Sequence, residues 1–221
     1  RILRGAYDGG MTFFDTARAY SDSEEKVGYA RSDVPKNIFI ATKTAASDPE
    51  EMKKQLETSL SMLKTDYIDI YQFHQSSRCY APGDGTGMYE QMVDFKRQGM
   101  IRHIGITSHK IGVAEECIES GLYETLQFPL SYLSGERETD LVRKCIDKNM
   151  GFIAMKALAG GLITNSQAAF AYMSQFENTV PIWGIQKYSE LEQWLSYMDT
   201  PPVLDSTLLG VIEQDKKELG L

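Results

Sequence analysis

The sequence predicts an α/β fold, a (β/α)8 TIM barrel whose first strand lies before Arg1. Three observations lead there. Apolar strand-like runs alternate with helical segments with no break in composition, which implies a parallel sheet covered by helices. Six successive strands end in polar groups, at Asp15, Lys43, His74, Thr107-Ser108, Gln127 and Lys156. A barrel interior is packed with apolar side chains, so polar strand ends belong at the C-terminal mouth, where barrel enzymes keep their chemistry. No G-x-G-x-x-G follows an early strand, as a dinucleotide-binding open sheet would require, and the open doubly wound sheet is the competing arrangement.

Each element has a local reason. Arg1 to Tyr7 reads as the end of a helix that Gly9-Gly10 stops, and Met11 to Phe14 as the first visible strand. Ser21 to Arg31 reads as a short helix whose acidic first turn suits the helix dipole. The second strand is Asn37 to Lys43. Asp48 as N-cap and Pro49 at the first helical position open the next helix, with Met52, Leu56, Leu60 and Leu63 at helical spacing. Tyr67 to His74 is the third strand, and the Gly-, Ser- and Pro-rich segment Ser76 to Gly87 reads as a flexible loop. A helix over Met88 to Arg97 leads to a strand over Ile101 to Ser108, and one over Val113 to Glu119 to the strand Thr125 to Pro129. The helix Thr139 to Lys148 precedes the strand Gly151 to Leu158. A helix over Gln167 to Gln175 precedes the last strand, Val180 to Ile185, and a helix over Ser189 to Met198 follows it. Residues 1–205 are therefore read as the barrel, and 206–221 as a C-terminal helical tail that covers it.

Composition bounds the function. A net charge of −8 argues against a general nucleic-acid binder, which needs a basic face. Hydrophobic content of 42% with 24% charged residues is that of a soluble globular protein. No apolar run is long enough to span a membrane and no signal peptide is visible, so a cytoplasmic location is expected. Cys79, Cys117 and Cys145 form no C-x-x-C pair, which suggests a reducing compartment. No H-E-x-x-H or paired His/Cys spacing points to a metal. His103 and His109 flank a strand and read as surface residues, and Trp183 and Trp194 as packing residues.

The stretch Thr12 to Tyr20 carries the chemistry. An apolar run ends in Asp15, and Tyr20 follows five residues later on the loop leaving the strand. Alone, Asp15 reads equally well as a helix N-cap and Tyr20 as a surface ring. Joined to a strand ending in Lys43 and another ending in His74, the D-T-A-x-x-Y pattern resembles the aldo-keto reductase family. The segments GGMTFFDTARAYSDSEEKVG, LETSLSMLKTDYIDIYQFH, KRQGMIRHIGITS and MKALAGGL resemble that family's motifs over nearly the whole chain. The tail IWGIQKYSELEQWLSYMDTPPVLD resembles the branch whose members often carry a ferredoxin-like iron–sulfur extension, for which these residues hold no cysteine cluster.

The resemblance implies an NAD(P)H-dependent oxidoreductase that reduces an aldehyde or ketone to an alcohol. Tyr20 would be the general acid, Lys43 the ammonium that lowers the phenol's pKa, Asp15 the partner that holds Lys43, and His74 the donor to the carbonyl oxygen. It also implies cofactor contacts. Thr107, Ser108 and Gln127 would meet the nicotinamide amide, and Met155 would lie where many members place an aromatic ring. Lys156 and the Ala159-Gly160-Gly161 backbone would approach the pyrophosphate, and Lys187 the 2′-phosphate. NADPH is the expected cofactor, with NADH the alternative because Glu190 would repel that phosphate. A nicotinamide-binding redox sensor with little turnover is the alternative function, and an aldolase-type barrel with Lys43 as a Schiff-base lysine is a third. The partner is a small carbonyl substrate, with neither nucleic acid nor membrane.

Overall fold

The computed structural model describes residues 1–34 and 37–221. The chain divides into two compact units, residues 1–126 apart from Ile2, and residues 127–221.

In the first unit, helix α1 (Ile2–Asp8) precedes β1 (Phe13–Asp15), α2 (Ser23–Arg31), β2 (Phe39–Thr44), α3 (Pro49–Leu63) and β3 (Ile68–Phe73). Then come α4 (Met88–Arg97), β4 (Ile101–Thr107) and α5 (Ile111–Ser120). The strands β1 to β4 pair in chain order, all parallel, with Asp15 opposite Ala41, Lys43 opposite Gln72 and Phe73 opposite Ile106. This register sets the ends of β1, β2 and β3 side by side, which is why residues far apart in sequence share one mouth. Helix α3 opens as expected, with the Asp48 side chain accepting from the Glu51 N–H at 2.8 Å. It buries Met52, Leu56 and Leu63, and closes on Lys64 in the left-handed conformation. Helix α2 packs on α3 through Gly28, where an added Cβ would lie 2.0 Å from the Met62 carbonyl oxygen.

The 76–87 loop is less free than its composition suggests. Asp84 accepts from the N–H groups of Ala81 and Thr86 and from the Thr86 hydroxyl, and it pairs with Arg78. Tyr80 packs on Phe73 with ring centroids 4.6 Å apart, and its carbonyl accepts from the Tyr123 hydroxyl at 2.7 Å.

Strand β5 (Thr125–Pro129) begins where the first unit ends. The second unit continues with α6 (Glu136–Asp147), β6 (Gly151–Met155), α7 (Ser166–Met173), β7 (Thr179–Pro181), α8 (Tyr188–Asp199) and α9 (Ser206–Glu218). β6 and β7 are parallel, with Phe152 opposite Thr179. Both strands are shorter than the sequence suggests. β6 stops at Met155 because Lys156 turns into the left-handed region at φ 55°. β7 stops at Pro181, the Ile182 N–H still donating to the Ala154 carbonyl at 2.9 Å, and Gly184 follows in irregular chain. Helix α6 starts three residues earlier than expected, at Glu136. Helix α9, N-capped by Asp205, packs Leu208 and Ile212 against Ala168, Ala169 and Ala171 of α7. Among the described residues, no helix is long and apolar enough to cross a membrane.

Candidate active site

Four polar side chains converge where β1, β2 and β3 end. Asp15 is the last residue of β1, Lys43 the penultimate residue of β2, and His74 follows the last residue of β3. Tyr20 sits in the turn after β1 that leads into α2. The Lys43 Nζ donates to Asp15 Oδ1 at 2.9 Å, to Asp15 Oδ2 at 2.8 Å and to the Thr16 carbonyl at 2.7 Å. An ammonium has three N–H donors, and these three acceptors use them all. The Lys43 charge therefore acts on Tyr20 through space, with Nζ 5.1 Å from the ring centroid. Tyr20 also meets His74 edge-on, with ring centroids 5.6 Å apart. Lys43 is 1% exposed and Tyr20 45%, so the charge is buried and the tyrosine only partly covered.

This arrangement sets protonation. Burial pushes the Lys43 pKa below its ordinary value, and the Asp15 carboxylate opposes that shift. Burial first, and the Asp15 charge second, raise the Tyr20 phenol. The net direction thus runs against the lowering that the resemblance assigned to Lys43. His74 is pushed down to about 4 by burial, by the Lys43 charge and by His109. Its ring is neutral at physiological pH and keeps one N–H to donate.

Thr107 and Ser108 lie at the end of β4 in the same unit, both buried. The Thr107 hydroxyl accepts from the Gln75 N–H at 2.7 Å, which leaves its own proton for another acceptor. The Ser108 hydroxyl donates to the Ser76 carbonyl at 2.9 Å and accepts from the Lys110 N–H at 3.1 Å, so it braces two loops.

The other predicted contacts belong to the second unit. Gln127 is buried on β5, and Met155 is the half-buried last residue of β6. Lys156, Ala159, Gly160 and Gly161 all have positive φ, between 49° and 98°, and the N–H groups of Ala159 and Gly161 donate to the Lys156 carbonyl at 2.8 Å and the Leu158 carbonyl at 3.0 Å, which closes the turn on itself. The buried Gln127 amide, in the middle of β5, has the donors and the acceptor that a carboxamide requires. Lys187 is exposed at the start of α8. Beside it, the Glu190 carboxylate folds back onto the N–H groups of Gln186 at 2.8 Å and Lys187 at 3.0 Å. It fills the helix N-terminus with a negative charge of its own.

The sequence reading missed Arg18 and Glu24. Glu24 reads in the sequence only as part of an acidic first turn that suits the helix dipole, yet it is 1% exposed. Its position one turn ahead of Gly28, which packs directly on α3, was the available signal.

A family model described as "Aldo/keto reductase family" matches residues 1–180. The chain belongs to the aldo/keto reductase family. Among curated relatives of this aldo/keto reductase chain, the aldo-keto reductase YhdN of Bacillus subtilis is 29% identical over 176 residues, 73% of this chain and 52% of that protein. The methylglyoxal reductase DkgB of Salmonella typhi is 35% identical over 124 residues, 52% of this chain and 45% of that protein. The chain thus spans about half the length of these two relatives. Among solved structures, the holo form of the aldo-keto reductase AKR11C1 from Bacillus halodurans matches with a TM-score of 0.83 at 19% identity, covering 97% of this chain and 86% of that one. An aldo-keto reductase from Klebsiella pneumoniae in complex with NADPH matches with a TM-score of 0.80 at 22% identity, covering 96% and 82%. The fold is the α/β fold of these barrels, with seven parallel strands among the described residues.

Proposed function

We propose that this chain carries the catalytic half-site of an NADPH-dependent reductase that converts an aldehyde or ketone to an alcohol, with Tyr20 as the proton donor. The observation that carries the reading is the buried Asp15–Lys43 pair beneath the half-exposed Tyr20 ring, with His74 edge-on to it. A structural ion pair alone would not need a phenol and a neutral imidazole at its open side. When bound, a reduced nicotinamide supplies the hydride.

The chain's own residues do the rest. His74, neutral at physiological pH, donates a ring N–H to the carbonyl oxygen and orients it. Tyr20, held as the phenol, gives its proton to that oxygen as negative charge builds there, since a phenol is far more acidic than the alcohol being formed. The Lys43 ammonium, locked by Asp15 and the Thr16 carbonyl, then stabilises the phenolate left behind. In the first unit, Thr107 is the candidate contact to the nicotinamide amide; in the second, Gln127 is a candidate contact to an amide and Met155 to the ring. Lys156 and the Gly160 backbone would meet the pyrophosphate and Lys187 the 2′-phosphate, while Ser108 braces the loops around Thr107. The relative in complex with NADPH supports that cofactor, and the methylglyoxal reductase relative supports a small carbonyl substrate.

The test is titration of NADPH and NADH by quenching of Trp183 and Trp194, with turnover on an aldehyde panel. Tyr20→Phe is expected to keep cofactor affinity within about threefold and lower kcat by about 10²–10⁴-fold. Binding without turnover on any carbonyl would instead support a sensor.

A further inference from the structure

We propose that the ion pair between the part-buried Arg18 and the buried Glu24 is the positioning device for Tyr20, acting on the proton donor through the turn that carries it. The inference rests on the reductase reading and adds two residues to its machinery.

Glu24 stands in the first turn of α2 with its side chain fully buried, and all its partners are polar groups. Its Oε1 accepts from the Thr42 hydroxyl at 2.6 Å and the Ser59 hydroxyl at 2.7 Å, and its other oxygen pairs with the Arg18 guanidinium. A buried carboxylate is costly unless every such bond is made, so the group is held firmly in one place. The arrangement links the right pieces. Thr42 is the neighbour of Lys43 on β2, and alternation along a strand sends the two side chains to opposite faces. One carboxylate therefore ties the strand that carries the ammonium, through Thr42, to the turn that carries the phenol, through Arg18.

Tyr20 sits inside that closure, two residues after Arg18 and four before Glu24. Backbone bonds complete it. The Arg18 N–H donates to the Lys43 carbonyl at 3.1 Å, the Tyr20 N–H to the Ala17 carbonyl at 3.0 Å, and the Ser23 N–H to the Tyr20 carbonyl at 2.8 Å. The Thr16 hydroxyl donates to the Ser23 hydroxyl at 2.7 Å across the same turn. The ring itself is touched by His74 at its edge and by the Lys43 charge, contacts that set no register along the chain. The turn must therefore place the phenol, and displacements of about 1 Å are enough to cost about 10²-fold in rate.

The experiment uses the full-length protein and three variants. Arg18→Ala removes the cation, and Arg18→Lys keeps a cation without the planar fork. The double variant Arg18→Leu with Glu24→Gln removes both charges, so that no orphan charge unfolds the site. Expected is a kcat, per folded molecule, about 10–100-fold lower in Arg18→Ala and in the double variant, with substrate KM and nicotinamide Kd within threefold. Arg18→Lys should recover most of the loss. Amide hydrogen exchange over residues 16–23 should quicken at least tenfold in the double variant while α3 stays protected. A double variant with kcat within twofold of the unaltered protein, or with exchange over residues 16–23 unchanged, would overturn the clamp. Should the unaltered protein bind cofactor and reduce no carbonyl, the reductase reading fails, and the exchange data alone decide the positioning role.

Discussion

Asp15 and Lys43 place opposite charges in a nearly dry site, with side chains 6% and 1% exposed. Such a pair is a poor source of stability, yet losing one partner is expensive because the other charge stays buried. Lys43→Met is therefore expected to lower unfolding free energy by about 3–5 kcal/mol, measured by urea denaturation, and adding Asp15→Asn should restore most of it. His74 makes a pH prediction. Its folded pKa of about 4 lies below the unfolded value near 6.5, so between these pH values the unfolded chain binds the extra proton. Stability should then fall as pH drops from about 6.5 toward 4. Discounted for solvent screening of a half-exposed ring, the loss is about 1–2 kcal/mol. His74→Gln should flatten that slope in urea midpoints measured across the same range.

Among the elements, the α2–α3 contact is the one that brings the clamp together. Gly28 lets α2 approach the α3 backbone, and Ser59 of α3 reaches Glu24 of α2 across the same contact. A methyl group at residue 28 would meet the Met62 carbonyl, which is backbone and cannot rotate away. Gly28→Ala is expected to lower stability by about 1–3 kcal/mol or more and to lower kcat with it, since pushing α2 outward moves Glu24. Thermal denaturation and turnover on one aldehyde would check both. Element boundaries explain most differences from the sequence reading. Apolar runs marked β6 and β7 correctly, but the end of β6 was set by the left-handed Lys156. A left-handed lysine leaves no trace in residue type.

At the scale of the whole molecule, charge bears on cofactor choice. The chain carries −8 overall, so the proposed polyanionic cofactor would depend on local cations, for which Lys156 and Lys187 are the proposed candidates. Glu190 acts against them at the start of α8, where it already satisfies two backbone donors. Glu190→Gln is expected to tighten NADPH relative to NADH by about three- to tenfold, read as the ratio of the two Kd values from tryptophan quenching. Raising salt from 50 to 200 mM should weaken NADPH more than NADH, because the extra phosphate depends on exposed, screened cations.

The sequence by itself determined the β/α alternation, the order of the strands along the chain and the polar residues at the ends of β1 to β4. These follow from side-chain polarity and spacing, which are local properties. It also marked Asp15, Tyr20, Lys43 and His74, because the D-T-A-x-x-Y pattern joined to strands ending in Lys43 and His74 resembles the aldo-keto reductase family, whereas alone Asp15 and Tyr20 read equally well as a cap and a surface ring. Tertiary structure decided the rest. That Glu24 is buried, that all three Lys43 donors are taken, and that Ser108 braces loops depend on which strands lie side by side. The direction of each pKa shift likewise depends on burial and on charges brought from other strands, and neither burial nor long-range proximity is a property of a residue's neighbours in sequence.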